Sequence, residues 1–457
     1  MLVVRAHRIS SLFFCSLSAI AASAAENPGV TARLENYEGP AVVAIESLER
    51  HKVRVSVNPK TVRMPLTLRV ELPASGPNAW PLADVEVRDE RKRAVTVRRS
   101  GIEWQKLFIP IPPERTSYIV QAVDPPAGRP TLPSEKQRLL TDDATGLSLT
   151  IARWYDGKQA ALSIRFDDSH PSHLSKAVPI LREYGFRGTF MINPGAREPN
   201  SHRRSAFEDQ RADWEAVAKG GDQEFANHSA HHRGAVGDAD MEAEIGEAAK
   251  TIWKLFPDKS KLTALNLGGG TLWETTHTLR YYLDKYHQFD ASQNSLGMDD
   301  SYGHRVDAFR KMLERHLQRG LWCRIHYHYI GEGLSSSEAN FRSALDITKK
   351  HEASLWIAGM ADIHKYQTER TGAALSLVKS GDRQLLFRLI CLTDLELYDQ
   401  PLTLEMKMTA ARTLERVAVK DRDGKAIAVR RWHDGGQTVW RFDVFPRTAD
   451  YTIELKP

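Results

Sequence analysis

Two adjacent carboxylates, Asp167 and Asp168, follow Phe166 at the end of an apolar run that begins at Ala161. Neighbouring like charges repel, and a packed strand tolerates them only where something neutralises or uses them. A solvated loop doublet has the same appearance, so the pair alone decides little. The run His228-Ser229-Ala230-His231-His232 adds a second group. His228 and His232 are four apart, so on a helical turn both imidazoles face one side and can hold one metal ion, while His231 faces elsewhere. A surface run of histidines is an equal alternative in isolation. With the Asp doublet present a metal site is favoured, because two imidazoles and one carboxylate complete three protein ligands and leave a position open for water.

A third group is Trp322-Cys323-Arg324-Ile325-His326-Tyr327-His328. On a strand Trp322, Arg324, His326 and His328 share one face, and Cys323, Ile325 and Tyr327 the other. That division suits a barrel strand whose inner face lines a site, with His328 at the C-terminal end where βα barrels hold their chemistry. One of His326 and His328 is then a core histidine with its hydrogen bonds met. The fourth group, Gly268-Gly269-Gly270-Thr271, lacks the lysine of a phosphate-binding loop. A tight turn whose backbone N–H groups, at Gly269 and Gly270, face a bound oxyanion is as compatible. The chain contains no Gly-x-Ser-x-Gly elbow, which argues against a serine esterase of the α/β-hydrolase kind.

The elements that must position these groups fall into three blocks. A length of 457 residues predicts two to four domains. Short alternating strands fill residues 27–124, and the Pro- and Gly-rich stretch 125–133 breaks the pattern. Between about 148 and 370, strands at 161–166, 188–193, 224–227, 262–267, 321–329 and 354–358 alternate with helical patterns at 172–184, 213–219, 241–256 and 336–350, the grammar of a parallel sheet or βα barrel. Strand patterns return after Gly381. The expected division is a leader over 1–25, a β-sandwich over 26–140, an α/β barrel over 146–372 and a second β-sandwich over 376–457. The leader is expected because Arg5 and Arg8 precede an apolar run and Ala22-Ser23-Ala24-Ala25, the layout of a cleavable secretory signal. The run is shorter than the ~20 residues that span a bilayer, so a secreted or periplasmic protein without a membrane span is expected. A net charge of +5 over this length does not indicate a nucleic-acid partner. Cys323 and Cys391, which remain after the leader, are the residues available for one disulfide.

In this order the groups resemble the polysaccharide deacetylase family, also called the NodB-homology group or carbohydrate esterase family four. Its Thr-Phe-Asp-Asp-Gly motif is matched by Arg165-Phe166-Asp167-Asp168-Ser169, and its His-Ser/Thr-x-x-His motif in full by His228 to His232. Tyr184-Gly185-Phe186-Arg187-Gly188-Thr189-Phe190 is similar to the family's link between first helix and second strand. The resemblance covers about 160–370 and implies a distorted (β/α) barrel flanked by the β-sandwiches. It implies Asp168, His228 and His232 as ligands of a divalent metal, usually zinc, with metal-bound water as nucleophile. Asp167 would then be the general base and His328, six residues after Trp322, the general acid. The substrate would be a carbohydrate losing N-acetyl or O-acetyl groups, in contact with Arg165, Gly269, Gly270, Trp322 and His326. Arg165 replaces the usual threonine and shares a strand face with Asp167, so a pairing of the two is expected; Ser169 replaces glycine. The arginine of the third motif has no counterpart in Leu267-Gly268-Gly269-Gly270, and the aspartate of the fourth is not singled out among Asp290, Asp299 and Asp300. The alternatives are a carbohydrate-binding protein with a degenerate deacetylase domain, and a hydrolase of other C–N bonds on the same fold.

Overall fold

The computed structural model describes residues 29–35, 37, 39–59, 64–123, 131–196, 207–409, 416–434 and 437–456. The leader expected over 1–25 and most of the 125–133 breaker lie outside the described residues. Near the N-terminus, strands Val42–Glu49, Lys52–Asn58, Thr116–Ala122 and Val85–Asp89 form one antiparallel sheet. Thr31–Glu35, Leu66–Glu71, Lys106–Ile111 and Val97–Ser100 begin another. Alternation puts Val53, Val55 and Val57 of the first against Leu68, Val70, Leu107 and Ile109 of the second in one core. The second sheet does not end there. Val97–Ser100 pairs antiparallel with Leu272–Thr275, which pairs with Ala235–Val236, so it runs on into the central unit.

Towards the C-terminus two five-stranded sheets share a core of Leu149, Leu404, Phe442, Phe387 and Ile453. Strands Leu139–Asp142 and Leu147–Ile151, which the sequence division splits between the first β unit and the barrel, pair with each other, and the second also pairs with Leu402–Met408 in this C-terminal sheet. Leu147, Leu149 and Ile151 are all fully buried, and that apolar face is what draws the segment into the sheet. Cys323 and Cys391 are buried free thiols in different cores.

The central sheet consists of β1 (Ala160–Phe166), β2 (Gly188–Ile192), β3 (Glu224–Asn227), β4 (Thr263–Leu265), β5 (Gln288–Asp290), β6 (Leu296–Gly297), β7 (Trp322–Tyr327) and β8 (Leu355–Ile357). Their order is β5-β4-β3-β2-β1-β7-β6, with β8 beside the start of β1, and every pairing is parallel. This is an open, curled version of the predicted barrel, with β5 and β6 at its two ends. All seven residues of β1 are buried, as a central parallel strand covered on both faces requires. Phe166 stacks on Phe190 of β2, with ring centroids 4.8 Å apart, and Trp214 of the helix Arg211–Gly220 closes the layer. The helix Asp238–Leu255 buries Met241, Ile245, Ala248, Ala249 and Ile252 at three-to-four spacing. Among the described residues no helix is long and apolar enough to cross a membrane.

Candidate active site

The polar groups singled out above collect where the parallel strands end. β1 leads into Asp167 and Asp168, β2 into Asn193, β3 into His228, β4 into Asn266, β5 into Ala291 and β7 into His328. Side chains at the C-terminal ends of neighbouring parallel strands converge over one rim, which accounts for their meeting despite wide separation in sequence.

Asp168 and its partners are held by backbone that few residues adopt. Asp168 (φ 82°), Ser169 (φ 50°), Ser229 (φ 60°) and His232 (φ 53°) are all left-handed, a cost met only where surroundings enforce it. Ser169, where the family has glycine, accepts a hydrogen bond from the Asn193 N–H through Oγ at 2.8 Å, which helps fix the turn. The histidine segment is not the helical turn its spacing suggests. It is a loop in which the Asn227 side chain takes the Ser229 N–H and Ser229 Oγ takes the His232 N–H, at 2.8 and 3.0 Å. Asn193 clamps the same loop, donating to the carbonyls of His228 and Ser229 at 2.6 and 2.9 Å. The two imidazole centroids come within 4.6 Å. His231 turns away, as its position implies, and hydrogen-bonds through Nδ1 to the buried Glu244 at 2.7 Å.

Asp168 Oδ1 lies 3.3 Å from His228 Nε2 and 3.7 Å from His232 Nε2. These donor atoms all lie within 4.8 Å of one another. His228 places Nδ1 2.8 Å from the Asn266 carbonyl, which fixes Nδ1 as the protonated nitrogen and turns the Nε2 lone pair inward. Burial, then the neighbouring His228, pulls His232 down to about 4, so its imidazole is neutral at physiological pH. Burial is the largest influence on Asp168 and opposes its ionisation, but the adjoining His228, His232 and His328 together outweigh it and hold the carboxyl below the usual range. One carboxylate oxygen and two imidazole nitrogens in this compass fit a divalent cation.

Asp167 is 2% exposed. Burial is the largest influence and disfavours its charge, yet the Arg165 guanidinium, together with the nearby His228, His326 and His328, keeps it below the ordinary carboxylate value. Arg165 Nη2 donates to Asp167 Oδ2 at 3.0 Å, and Nε stands 2.9 Å from Oδ1 without the alignment of a hydrogen bond. Oδ1 is thus left without a donor, a buried acceptor open to a proton. Asn266 Nδ2 also reaches Oδ2, at 3.2 Å, and Arg165 Nη1 is anchored on the Ala291 carbonyl at 2.9 Å. The pairing expected from the shared strand face is present.

His328 places Nδ1 2.6 Å from Asp299 Oδ2, and its N–H donates to Asp299 Oδ1 at 3.2 Å. Burial lowers its basicity, but the Asp299 hydrogen bond and the charges of Asp167 and Asp299 more than compensate and push it up to about 9. Of the three aspartates that sequence left open, Asp299 is the one that meets His328. β6 pairs Gly297 with His326, setting Asp299 beside His328, and a two-residue strand leaves no periodic signal. His326 faces the same interior, with Nδ1 3.0 Å from Ser295 Oγ and a pKa lowered to about 4 by burial and by Arg165.

The remaining predicted residues are placed differently. Trp322 is at the opposite end of β7, its indole donating to Ser163 Oγ at 3.0 Å and its ring stacked on Arg324, which a strand rise of ~3.3 Å per residue puts about 20 Å from His328. It is a packing residue of the far end, not a neighbour of the rim. Gly269 faces Ile102 of the N-terminal unit, and Gly270 faces open space. The residue one earlier, Gly268 (φ +75°), touches the site, since a Cβ there would collide with His232 Nε2 and crowd His228. Asn266 is a residue that spacing did not reveal, because a lone amide after a strand has no pattern.

Residues 155–284 match the family model described as polysaccharide deacetylase. A curated gellan lyase from Bacillus sp. is 21% identical over 285 residues, 57% of this chain, and the chain spans 11% of that protein's length. Among solved structures, a family 4 carbohydrate esterase from Streptomyces lividans in complex with acetate is 18% identical, covers 45% of this chain and 94% of its own, and has a TM-score of 0.33. A family 4 acetyl xylan esterase from Clostridium thermocellum in complex with cobalt is 14% identical (44% and 89% covered, TM-score 0.32). A pseudoenzyme of that family from Bacillus anthracis is 13% identical (44% and 64%, TM-score 0.32). With the two motifs and their convergence on one rim, the match identifies residues 155–284 as a polysaccharide deacetylase domain.

Proposed function

We propose that the protein is a metal-dependent hydrolase that removes acetyl groups, N-linked in the first instance, from a carbohydrate outside the cytoplasm. The observation that carries this is the opposed ionisation of two groups beside the three-donor set: a carboxylate, Asp167, kept charged, and an imidazole, His328, kept protonated up to about 9. Amide cleavage needs such a pair, a base for the attacking water and an acid for a poor leaving group. Asp168, His228 and His232 would hold the cation, and zinc suits two imidazole nitrogens and one carboxylate. When bound, such a cation supplies a Lewis acid that polarises the acyl carbonyl and acidifies water.

The chain's own residues do the rest. Asp167 accepts the water proton at Oδ1, the oxygen without a donor, while Arg165 and Asn266 hold Oδ2 and fix the carboxylate plane. His328 delivers its Nε2 proton to the departing nitrogen or oxygen, and Asp299 on Nδ1 holds the ring in place and supports its charge. His326 lines the interior beside them. The flanking β units are proposed as packing modules, the first reaching the rim at Gly101. The leader pattern at residues 1–25 supports export. One preparation tests the whole proposal: metal content, and acetate release from N-acetylated glycans and acetylated xylan. Release of acetate that chelation abolishes and zinc restores is expected; no release from any glycan by the metal-loaded protein would overturn it.

A further inference from the structure

We infer that Tyr329, which follows the proposed acid, is a positioning residue for the metal ligand Asp168; this rests on the metal site proposed above. Tyr329 Oη donates to Asp168 Oδ2 at 3.1 Å. The other oxygen, Oδ1, is the one facing both imidazoles. A carboxylate at a strained φ of 82° with one oxygen tied back can present only the other, so the hydroxyl selects single-oxygen coordination and stops the group from rotating. Without the Oη–H, Oδ2 is freed and Asp168 loses its preset orientation.

Tyr329 is itself held. Its ring lies against His170, with centroids 4.2 Å apart, and His170 Nδ1 is 2.8 Å from Ser172 Oγ. Ser172 Oγ also accepts the Ile330 N–H at 3.0 Å, and His173 Nε2 reaches the His328 carbonyl at 2.5 Å. The segment Ser169-His170-Pro171-Ser172-His173 therefore stitches the loop carrying Asp168 to the loop carrying His328 at three successive residues, 328, 329 and 330. Histidines 170 and 173, which the deacetylase chemistry leaves unused, take this supporting part. Burial pulls His173 down to about 4, which keeps the ring neutral, and the carbonyl contact places its single proton on Nε2.

Tyr329→Phe removes one oxygen and keeps the ring contact with His170. Metal-free and cobalt-loaded protein, wild type and variant, are compared by competition titration with cobalt, by the visible spectrum of the bound ion and by melting of the metal-free form. The expected result is cobalt affinity lower by about 10- to 100-fold, an altered spectrum from a changed carboxylate mode, and metal-free melting within a degree or so of wild type. Equal affinity and an unchanged spectrum in the variant overturn the role of Tyr329 while leaving the metal site intact. A wild type that takes up no cobalt overturns the metal site and this inference together.

Discussion

Asp299→Asn is the substitution that reads the proposed acid most directly. It keeps the side chain's shape, so the ring of His328 stays in place, and it removes the charge beside Nδ1. An opposite charge at hydrogen-bond distance moves a pKa by about 1–3 pH units. The 2.6 Å contact with a carboxylate only 7% exposed belongs in that range. A wild-type value of about 9 then falls to about 7 in the variant. At pH 8 an acid of pKa 9 is about nine-tenths protonated and one of pKa 7 about one-tenth, so kcat there drops by about tenfold from protonation alone. Below pH 6 both forms are protonated and the two enzymes approach each other. The assay is acetate release from an N-acetylated oligosaccharide between pH 5 and 10, metal-loaded, with kcat and KM separated. The expected signature is an alkaline limb displaced downwards by about one to three pH units with the acidic limb unmoved. Activity reduced equally at every pH would refute the reasoning, because Asp299 would then hold geometry without setting the charge of His328.

The same coupling affects stability. His328 is raised from 6.5 to about 9 in the folded protein, so its contribution is fully present below pH 6.5 and is lost as pH rises through 9, worth at most about 3 kcal/mol; urea denaturation of metal-free protein at pH 6 and 10 should show a pH-dependent loss that Asp299→Asn reduces. Asp168→Ala should abolish tight metal binding and activity, whereas Asp167→Asn should keep the metal and lose about 10²- to 10⁴-fold in kcat, measured by metal analysis and acetate release; a fully active Asp168→Ala protein would sink the proposed site. Gly268→Ala places a Cβ on His232 Nε2 at a φ of +75°, a backbone cost of about 1–2 kcal/mol, and should weaken cobalt binding severely for a loss of only a few degrees in Tm.

The legible part of the molecule is the part with a short period or a dense motif. Strands β1, β2, β3 and β7 were readable because each is a short apolar or alternating run followed by Asp, Asn or His, and those endings supplied the proposed base, two of the three proposed donors and the proposed acid. Interactions that bridge distant segments were not readable. Asn266 and Asp299 act through contacts 99 and 29 residues away, and Tyr329 through one 161 residues away. Nothing local distinguishes a tyrosine that will meet a carboxylate from one that will fill a core. The helical turn expected at His228–His232 failed for a related reason: spacing of four is satisfied equally by a helix and by a loop with two left-handed residues, and the side chains of Asn227 and Ser229 decide for the loop.

The contact at Gly101 bears on why a deacetylase domain should have a β unit fused before it. Gly101 N–H donates to the Thr271 carbonyl at 3.0 Å, and the residue approaches Gly268 so closely that a Cβ would overlap its carbonyl oxygen. Gly268 in turn lies against His232. Two glycines without side chains thus leave one layer of backbone between the N-terminal sheet and a proposed metal donor. The pairing of Val97–Ser100 with Leu272–Thr275 and the Gln293 Nε2 to Ile102 carbonyl bond at 3.0 Å hold that layer on both sides. A turn of three consecutive glycines is by itself the most flexible backbone a chain can make. Held against the N-terminal sheet by these contacts it loses that freedom, so the rigidity of this turn comes from a neighbouring unit.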